Sequence, residues 1–585
     1  MQELTWKVGG KQGEGIDSTG EIFATALHRA GYPIFAYRHF MSLIKGGHTN
    51  FKIRIGDRPV YYHGDRLDVL VAFDQRSIDE NWHELLEGGV VLYEEGMRGM
   101  KQPDEKPVQL CPVPLTQLAD GLGNAIMKNM VACGASAAMV GLDAGAFDTL
   151  IQDRFGKKGD KVVEKNKEAV LTGYRYFLEH FGQLKRLPRL AGENRANDRE
   201  SYYISGNEAI GVGALTAGCR LIAAYPITPA TEILYWLLEN LPDYGGRIVQ
   251  AEDEIAACIM AIGANYAGVR AMTSTSGPGF SLMMEALGLA GMSETPLVIV
   301  DVQRGGPSTG LPTKTEQSDL NEMLYGTHGE IPRIVITPST IEECYLYIQE
   351  AFNLADKYQL PVIVATDLFL GMSKQSVQGI DVEAVSIDRG KLVQQIDLSK
   401  VERGMYKRYD LHVEDGISPR TIPGMKDGRF VALSNEHEET GFEIEDPLTR
   451  QQMMQKRMKK LSGFSVQWAT EFCGDEEPEL LLVGFGSLKA QMNEAAELLR
   501  EEGIRAATLT FKLLQPFPLE AVRDKMIGAG RVIVVENNFT GQLEGLINRH
   551  IKLQDRLEHC RKYDGNPMTV EEIMKVARQP VEVMN

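Results

Sequence analysis

Four segments between residues 225 and 310 carry side chains able to bind a small anion and to move a proton. The first is Tyr225-Pro226-Ile227-Thr228-Pro229-Ala230-Thr231-Glu232. Its two prolines hold the backbone extended or turned, which keeps the Thr228 hydroxyl in one place. A fixed hydroxyl suits a carboxylate or phosphate; equally, Thr231 could cap a helix, with Pro229 as loop punctuation. In the second, Gln250-Ala251-Glu252-Asp253-Glu254, three acids run into a small apolar helix, Ala256 to Ala267. The helix dipole favours acids in a first turn, and Glu254, last before the apolar run, is the one expected to be buried. A buried glutamate with no basic partner holds a proton more readily and can donate or share it. The third, Thr273-Ser274-Thr275-Ser276-Gly277-Pro278-Gly279, reads as a hydroxyl-rich turn opening a second helix, which capping alone could explain. In the fourth, Gln303-Arg304-Gly305-Gly306-Pro307-Ser308-Thr309-Gly310, an arginine ends an apolar strand inside a glycine turn. It suits bidentate carboxylate binding, or pairing with a structural acid. Together the four outline a crevice for a small anionic substrate.

Two glycine turns lie nearer the start. Gly9-Gly10-Lys11-Gln12-Gly13-Glu14-Gly15 joins a strand candidate, Trp6–Val8, to a helical pattern from Ile16 to about Ala30. Such a turn can hold a phosphate or serve geometry alone, and Ser18 stands where a dinucleotide fingerprint needs its last glycine. Lys45-Gly46-Gly47-His48 is a second turn with cationic potential.

The elements that must position these residues alternate short apolar runs with helical patterns, as parallel α/β domains do. Further strand candidates are Val69–Phe73 and Val90–Tyr93 in the first region, then Leu221–Ala224, Leu297–Asp301, Ile334–Thr337 and Val362–Ala365 in the second. The third repeats the pattern at Leu480–Val483, Ala506–Leu509 and Val532–Val535. The division expected is 1–185, a charged linker 186–205, then 206–380, a weakly patterned arm 381–470, and 471–585. So long an arm is expected to pack on a partner or a neighbouring domain. Its acidic cluster is Glu436, Glu438 and Glu439; its basic one is Lys456, Arg457, Lys459 and Lys460.

The chain has 585 residues, 43% hydrophobic and 24% charged, which supplies several cores and excludes general disorder. A net charge of −18 argues against a nucleic-acid partner. The seven cysteines, Cys111, Cys133, Cys219, Cys258, Cys344, Cys473 and Cys560, form no CxxC pair, so neither a zinc ribbon nor an iron–sulfur cluster is encoded, and no metal ligands are assigned. Without a secretion signal or a membrane-length apolar stretch, the chain reads as cytoplasmic, with no membrane association.

YPITPATE, QAEDEIAA, TSTSGPG and VQRGGPSTGLPTKTEQ resemble, in order and spacing, the alpha subunit of the 2-oxoacid:ferredoxin oxidoreductases. GGKQGEG with KGGHTN looks like the family's gamma domain fused in front, and the third region, with Val535-Glu536-Asn537-Asn538, like its transketolase-C-like domain. The resemblance implies three α/β domains: gamma, a pyrimidine-binding thiamine-diphosphate fold at 206–380, and transketolase-C-like. It places Glu254 where the family's glutamate meets N1′ of the thiamine aminopyrimidine, and Thr228 and Arg304 where the carboxylate of a 2-oxoacid is held. Tyr225, Pro226, Ile227, Ser276, Gly277 and Pro278 would line the pyrimidine pocket. The implied reaction is oxidative decarboxylation of a 2-oxoacid to acyl-coenzyme A and CO2, with electrons leaving singly to ferredoxin; the gamma domain is linked to coenzyme A.

The family's diphosphate site needs Mg²⁺, usually on a GDG motif, and electrons need a [4Fe–4S] cluster. This sequence has neither a GDG nor clustered cysteines. Both are expected on a beta subunit, in an α2β2 assembly sharing the thiamine diphosphate. The substrate read first is 2-oxoglutarate. Alternatives are a relative specific for pyruvate or a branched-chain or aryl 2-oxoacid, a non-catalytic scaffold subunit, and a self-contained transketolase-like enzyme, which the missing GDG disfavours.

Overall fold

The computed structural model describes residues 3–41, 47–97, 100–104, 106–184, 189–190, 201–553 and 556–579. It divides into two compact units, residues 1–205 with 372–379, and residues 206–371 with 380–585. Most of the expected linker lies outside the described residues, as do Lys45 and Gly46.

The first unit is built on β1 (Leu4–Lys11), β2 (Ile34–His39), β3 (His48–Ile55), β4 (Leu67–Ala72), β5 (Leu85–Glu94), β6 (Gln109–Val113) and β7 (Ser201–Ser205). With the later strand β14 (Lys374–Gln378) they form one sheet in the order β6-β5-β4-β1-β3-β2-β14-β7. The half from β6 to β1 is parallel and the rest antiparallel. Helix α1 (Ile16–Arg29) follows β1 and buries Ile22, Phe23 and Leu27, one face at helical spacing. Trp6 on β1 packs on Phe23 with ring centroids 4.6 Å apart. The pairing of β1 with β3 sets the two glycine turns side by side: Lys11 faces His48, and Gln12 N–H donates to Gly47 O at 2.8 Å.

The same register places Lys7 opposite Lys52, both buried. Glu84 reconciles them, touching the Lys7 ammonium and accepting from Lys52 Nζ at 2.7 Å. Burial pushes the Glu84 carboxyl up, but the two ammoniums prevail and hold it at about 2. Its folded value lies below its ordinary one, so its stabilisation is present above about pH 4.5 and lost as pH falls through about 2. Glu84→Gln removes the carboxylate that both buried ammoniums share and is expected to destabilise this unit by about 3–5 kcal/mol, read from the denaturant midpoint.

The second unit carries two further sheets. One uses β8 (Leu221–Ala224), β9 (Arg247–Gln250), β10 (Ala271–Thr275), β11 (Leu297–Gln303), β12 (Ile334–Ile336), β13 (Pro361–Asp367) and β20 (Leu513–Gln515). The order is β20-β12-β13-β11-β10-β8-β9, parallel except for β20. The other runs β17-β19-β18-β21-β22: β17 (Thr470–Gly474), antiparallel, then parallel β19 (Ala506–Phe511), β18 (Leu480–Phe485), β21 (Arg531–Glu536) and β22 (Leu557–Arg561). One core runs through both, with Leu287 and Ile299 on one side and Val483, Phe511 and Leu546 on the other.

The stretch after residue 380 holds a 3-10 turn (Leu398–Lys400) and a short ribbon, β15 (Val401–Glu402) with β16 (Met405–Tyr406), before a helix over Pro447–Lys459. Buried ion pairs tie it to the seven-stranded domain. Glu294 accepts from Lys456 Nζ at 2.8 Å and pairs with Lys460 Nζ at 2.8 Å. Asp356 meets Arg270 Nε at 2.8 Å and Arg420 Nη2 at 2.5 Å. The acidic and basic clusters also find each other, since Arg457 donates to both oxygens of Glu436 at 2.9 and 2.7 Å. Asp356→Ala strands two buried guanidiniums and is expected to cost about 3–5 kcal/mol, measured by denaturation.

Candidate active site

The four motifs lie at the ends of four adjacent strands, β11-β10-β8-β9. Tyr225 follows β8, Ala251 follows β9, Ser276 follows β10 and Arg304 follows β11. Every one of these strand ends is a carboxyl end, where open parallel sheets bind ligands.

Arg304 is buried, and its guanidinium donates to backbone oxygens: Nη1 to Thr228 O at 2.7 Å and Nη2 to Thr309 O at 3.4 Å. Nε is buried without a hydrogen-bond partner, and no carboxylate makes an ion pair with Arg304 among the described residues. The alternative of a structural salt bridge is therefore not what the fold builds. Burial lowers the pKa of this group, Asp319 opposes that, and the charge is left uncommitted beside Thr228. Thr228 is half-buried, and its side chain makes no hydrogen bond among the described residues. The following helix, α2 here (Thr231–Asn240), takes Ala230 as its N-cap without a side-chain bond, so Thr231 does not cap it. Tyr225 is 41% exposed.

The three acids at 252–254 divide their labour. Asp253 caps α3 (Glu254–Tyr266), accepting from Ala256 N at 2.7 Å. That leaves Glu254, 6% exposed, with no hydrogen bond to its carboxylate and no basic partner among the described residues. It faces the turn that opens α4 (Gly277–Leu282): a Cβ on Gly279 would lie 2.7 Å from Glu254 Oε1 and 2.2 Å from Thr275 Oγ1. Only glycine admits so close an approach. Ser276 Oγ is buried without a partner.

The hydroxyl-rich segment differs from its sequence reading. Thr273, Ser274 and Thr275 lie on the inner strand β10, fully buried, and only Ser276 begins the turn. Threonine is β-branched and fits a strand, whereas its hydroxyl had suggested a loop.

Residues that sequence reasoning passed over complete the surroundings. Asp319 stands just before a short helix, α5 (Leu320–Tyr325), and Gln303 Oε1 accepts from its N–H at 3.1 Å. Gln317 N–H donates to Asn537 O at 2.8 Å, and Asn538 Nδ2 donates to Gln317 O at 3.2 Å. The Glu536-Asn537-Asn538 turn of the last domain thus holds the segment leading from Arg304. Asp301, a charge inside the apolar run Leu297–Val302, was the one signal that could have exposed this layer.

Asp410, His412 and Glu439 place ligand atoms within 4.8 Å of one another. Lys400 Nζ already occupies Asp410 at 2.5 Å, and Lys407 Nζ occupies Glu439 at 3.1 Å, so ammoniums fill the role a cation would take. No described helix is long and apolar enough to cross a membrane.

Comparison with known proteins gives the family. Residues 212–456 match the family described as pyruvate flavodoxin/ferredoxin oxidoreductase, thiamine diphosphate-binding. Residues 5–176 match pyruvate ferredoxin/flavodoxin oxidoreductase, and residues 478–573 match pyruvate:ferredoxin oxidoreductase core domain II. Fold and site thus define the class of α/β oxidoreductases with a thiamine-diphosphate-binding domain. The alpha subunit of 2-oxoacid:ferredoxin oxidoreductase 1 of Aeropyrum pernix is 34% identical over 98% of this chain and 97% of its own. A 2-oxoglutarate synthase subunit KorA of Methanothermobacter thermautotrophicus is 36% identical over 64% of this chain and 98% of its own. A solved structure, the 2-oxoglutarate:ferredoxin oxidoreductase from Magnetococcus marinus with 2-oxoglutarate, coenzyme A and succinyl-CoA bound, superposes with a TM-score of 0.91 at 36% identity, covering 99% of each chain. The chain belongs to the 2-oxoacid:ferredoxin oxidoreductases, among their alpha subunits.

Proposed function

We propose that this chain is one half of the active site of a 2-oxoglutarate:ferredoxin oxidoreductase, converting the 2-oxoacid and coenzyme A to acyl-coenzyme A and CO2. One observation carries the reading. The Arg304 guanidinium, buried and without an ion pair among the described residues, is held against Thr228 at the carboxyl ends of four parallel strands. A carboxylate placed there accepts from Arg304 and from the Thr228 hydroxyl. Preference for 2-oxoglutarate over pyruvate or a branched-chain or aryl 2-oxoacid rests on the Magnetococcus and Methanothermobacter relatives.

Thiamine diphosphate fits the residues present. Glu254 offers a carboxylate with no competing partner, and Ser276 Oγ is an orphaned buried polar atom beside Gly277 and Pro278. When bound, the cofactor supplies a nucleophilic carbon and an electron sink for the loss of CO2. Glu254 would face the N1′ nitrogen of its pyrimidine and hand a proton across there, and Tyr225, Pro226, Ile227 and the Ser276-Gly277-Pro278 turn would line the ring.

The other half comes from a beta subunit in an α2β2 assembly, which brings Mg²⁺, the diphosphate site and a [4Fe–4S] cluster that passes electrons to ferredoxin. Six of the seven cysteines here are buried, and burial pushes the thiols of Cys111, Cys133, Cys219, Cys258 and Cys560 up to about 12. Such groups are poor sources of the thiolates a cluster needs. Residues before about 206 act as the fused gamma domain; the Methanothermobacter relative matches only 64% of this chain while 98% of it is covered. The assembly works in the cytoplasm.

The test is reconstitution. The chain alone is expected to be colourless and inactive, and with its beta subunit brown and able to reduce a viologen dye when given 2-oxoglutarate and coenzyme A. Turnover by the lone chain with thiamine diphosphate and Mg²⁺ overturns the reading.

A further inference from the structure

The loop that carries Arg304 is closed on itself. Gln303 and Gly305, the residues flanking Arg304, each bond to the returning arm of the loop, residues 311–319. Gly305 N–H donates to Lys314 O at 2.9 Å, and Gly305 O accepts from Leu311 N–H at 2.8 Å. Gln303 Oε1 accepts from Asp319 N–H at 3.1 Å, while its Nε2 donates to Thr366 O at 3.1 Å. The guanidinium bonds to the same loop through Thr309 O. The place of Arg304 is therefore set by the place of the returning arm.

Gln317 anchors that arm. It is fully buried, and its side chain and its main chain both reach other segments. Nε2 donates to Asp367 Oδ2 at the end of β13 and to Phe485 O at the end of β18, each at 3.1 Å. Oε1 accepts from Asn537 N–H at 3.4 Å. The main-chain N–H and carbonyl meet Asn537 O at 2.8 Å and Asn538 Nδ2 at 3.2 Å. Asp367 is itself held, accepting from Ser487 Oγ at 2.6 Å and from Leu370 N–H at 2.9 Å. Gly486 makes room for the amide: its φ is +62°, and a Cβ there would lie 2.9 Å from Gln317 Nε2. Two residues earlier, Thr315 N–H donates to Gly565 O at 3.2 Å, a second tie to the last domain.

We propose that Gln317 is a positioning residue that fastens the Arg304 loop to the last domain, so that the guanidinium already stands beside Thr228 when the 2-oxoacid arrives. The inference rests on the carboxylate-binding role given to Arg304. A loop held in its binding geometry loses little freedom when the ligand docks. A released loop must be ordered as the ligand binds, and the apparent affinity falls by the fraction of time it is misplaced. The loss is one of binding, and the chemical step that follows is left alone. The last domain thereby sets the affinity for the substrate.

The test is a double-mutant cycle on KM and kcat in the reconstituted complex. Gln317→Met keeps the length of the side chain and removes its hydrogen bonds. KM for 2-oxoglutarate is expected to rise about tenfold, with kcat within about threefold of wild type. In Arg304→Ala no guanidinium is left to place, so adding Gln317→Met is expected to change KM by less than about twofold. A rise by the same factor in both backgrounds overturns the proposal. So does a lower kcat at unchanged KM, the mark of a structural role. If Gln317→Met yields no folded chain, the isosteric Gln317→Glu replaces it. Glu at 317 faces the Asp367 carboxylate without a donor and raises KM, and Asp367→Asn restores a donor between them. The pair is expected to bring KM at least about threefold below that of Gln317→Glu alone. No recovery overturns the proposal. The two readings fail differently: wild-type KM in Arg304→Ala overturns the carboxylate site itself, whereas a raised KM there with wild-type KM in Gln317→Met overturns the role of Gln317 alone.

Discussion

Glu254→Ala is expected to lower turnover of the reconstituted complex by about 10²–10⁴-fold while leaving the chain folded, the range seen when a proton-handling group is removed. The fold predicts both halves of that result. The carboxylate makes no hydrogen bond among the described residues, so deleting it breaks nothing that holds α3 in place. Its neighbour supplies the control. Asp253 caps the same helix through Ala256 N, and Asp253→Ala is expected to cost about 1 kcal/mol of stability with little effect on the chemical step. Measuring kcat and the thermal midpoint for both variants separates the roles. Full activity in Glu254→Ala removes the residue from the mechanism.

Arg304→Ala is the second large effect, and it falls on binding. Removing a buried cation from a carboxylate partner costs several kcal/mol, so KM for the 2-oxoacid should rise about 10²–10³-fold, with a smaller change in kcat. Arg304 also holds Thr228 O at 2.7 Å, so its loss loosens the hydroxyl as well. Thr228→Ala removes only one neutral hydrogen bond and should raise KM about tenfold or less. Arg304→Lys keeps the charge but loses the fork that reaches Thr228 O and the ligand together, and belongs between the two. An unchanged KM in Arg304→Ala would show that the carboxylate binds elsewhere.

Both expectations begin in residue types visible without a structure. Apolar runs such as Leu480–Val483 and Val532–Val535 specify parallel strands because a strand buried on both faces has no polar side to show. Proline and glycine beside Thr228 and Arg304 mark strand ends, since few other residues tolerate such turns, and the four motifs were legible as one crevice for that reason.

Tertiary structure decided what each group does. Three acids in a row are alike in sequence; only the start of α3 makes Asp253 a cap and leaves Glu254 free, because one carboxylate reaches the N-terminal amide and its neighbour cannot. An arginine in a glycine loop could have met a structural acid; here the Thr228 carbonyl after β8, two strands from β11, and the Thr309 carbonyl of its own loop accept from it instead. The threonines of β10 looked like a turn because hydroxyls occur in both settings, and only burial between β8 and β11 makes them a strand. The sequence by itself determined the α/β class and the four motifs that the fold sets at the ends of adjacent strands. Which acid caps a helix, and which charge is left without an ion pair, depends on burial and on partners brought together from distant segments, and only folding settles those.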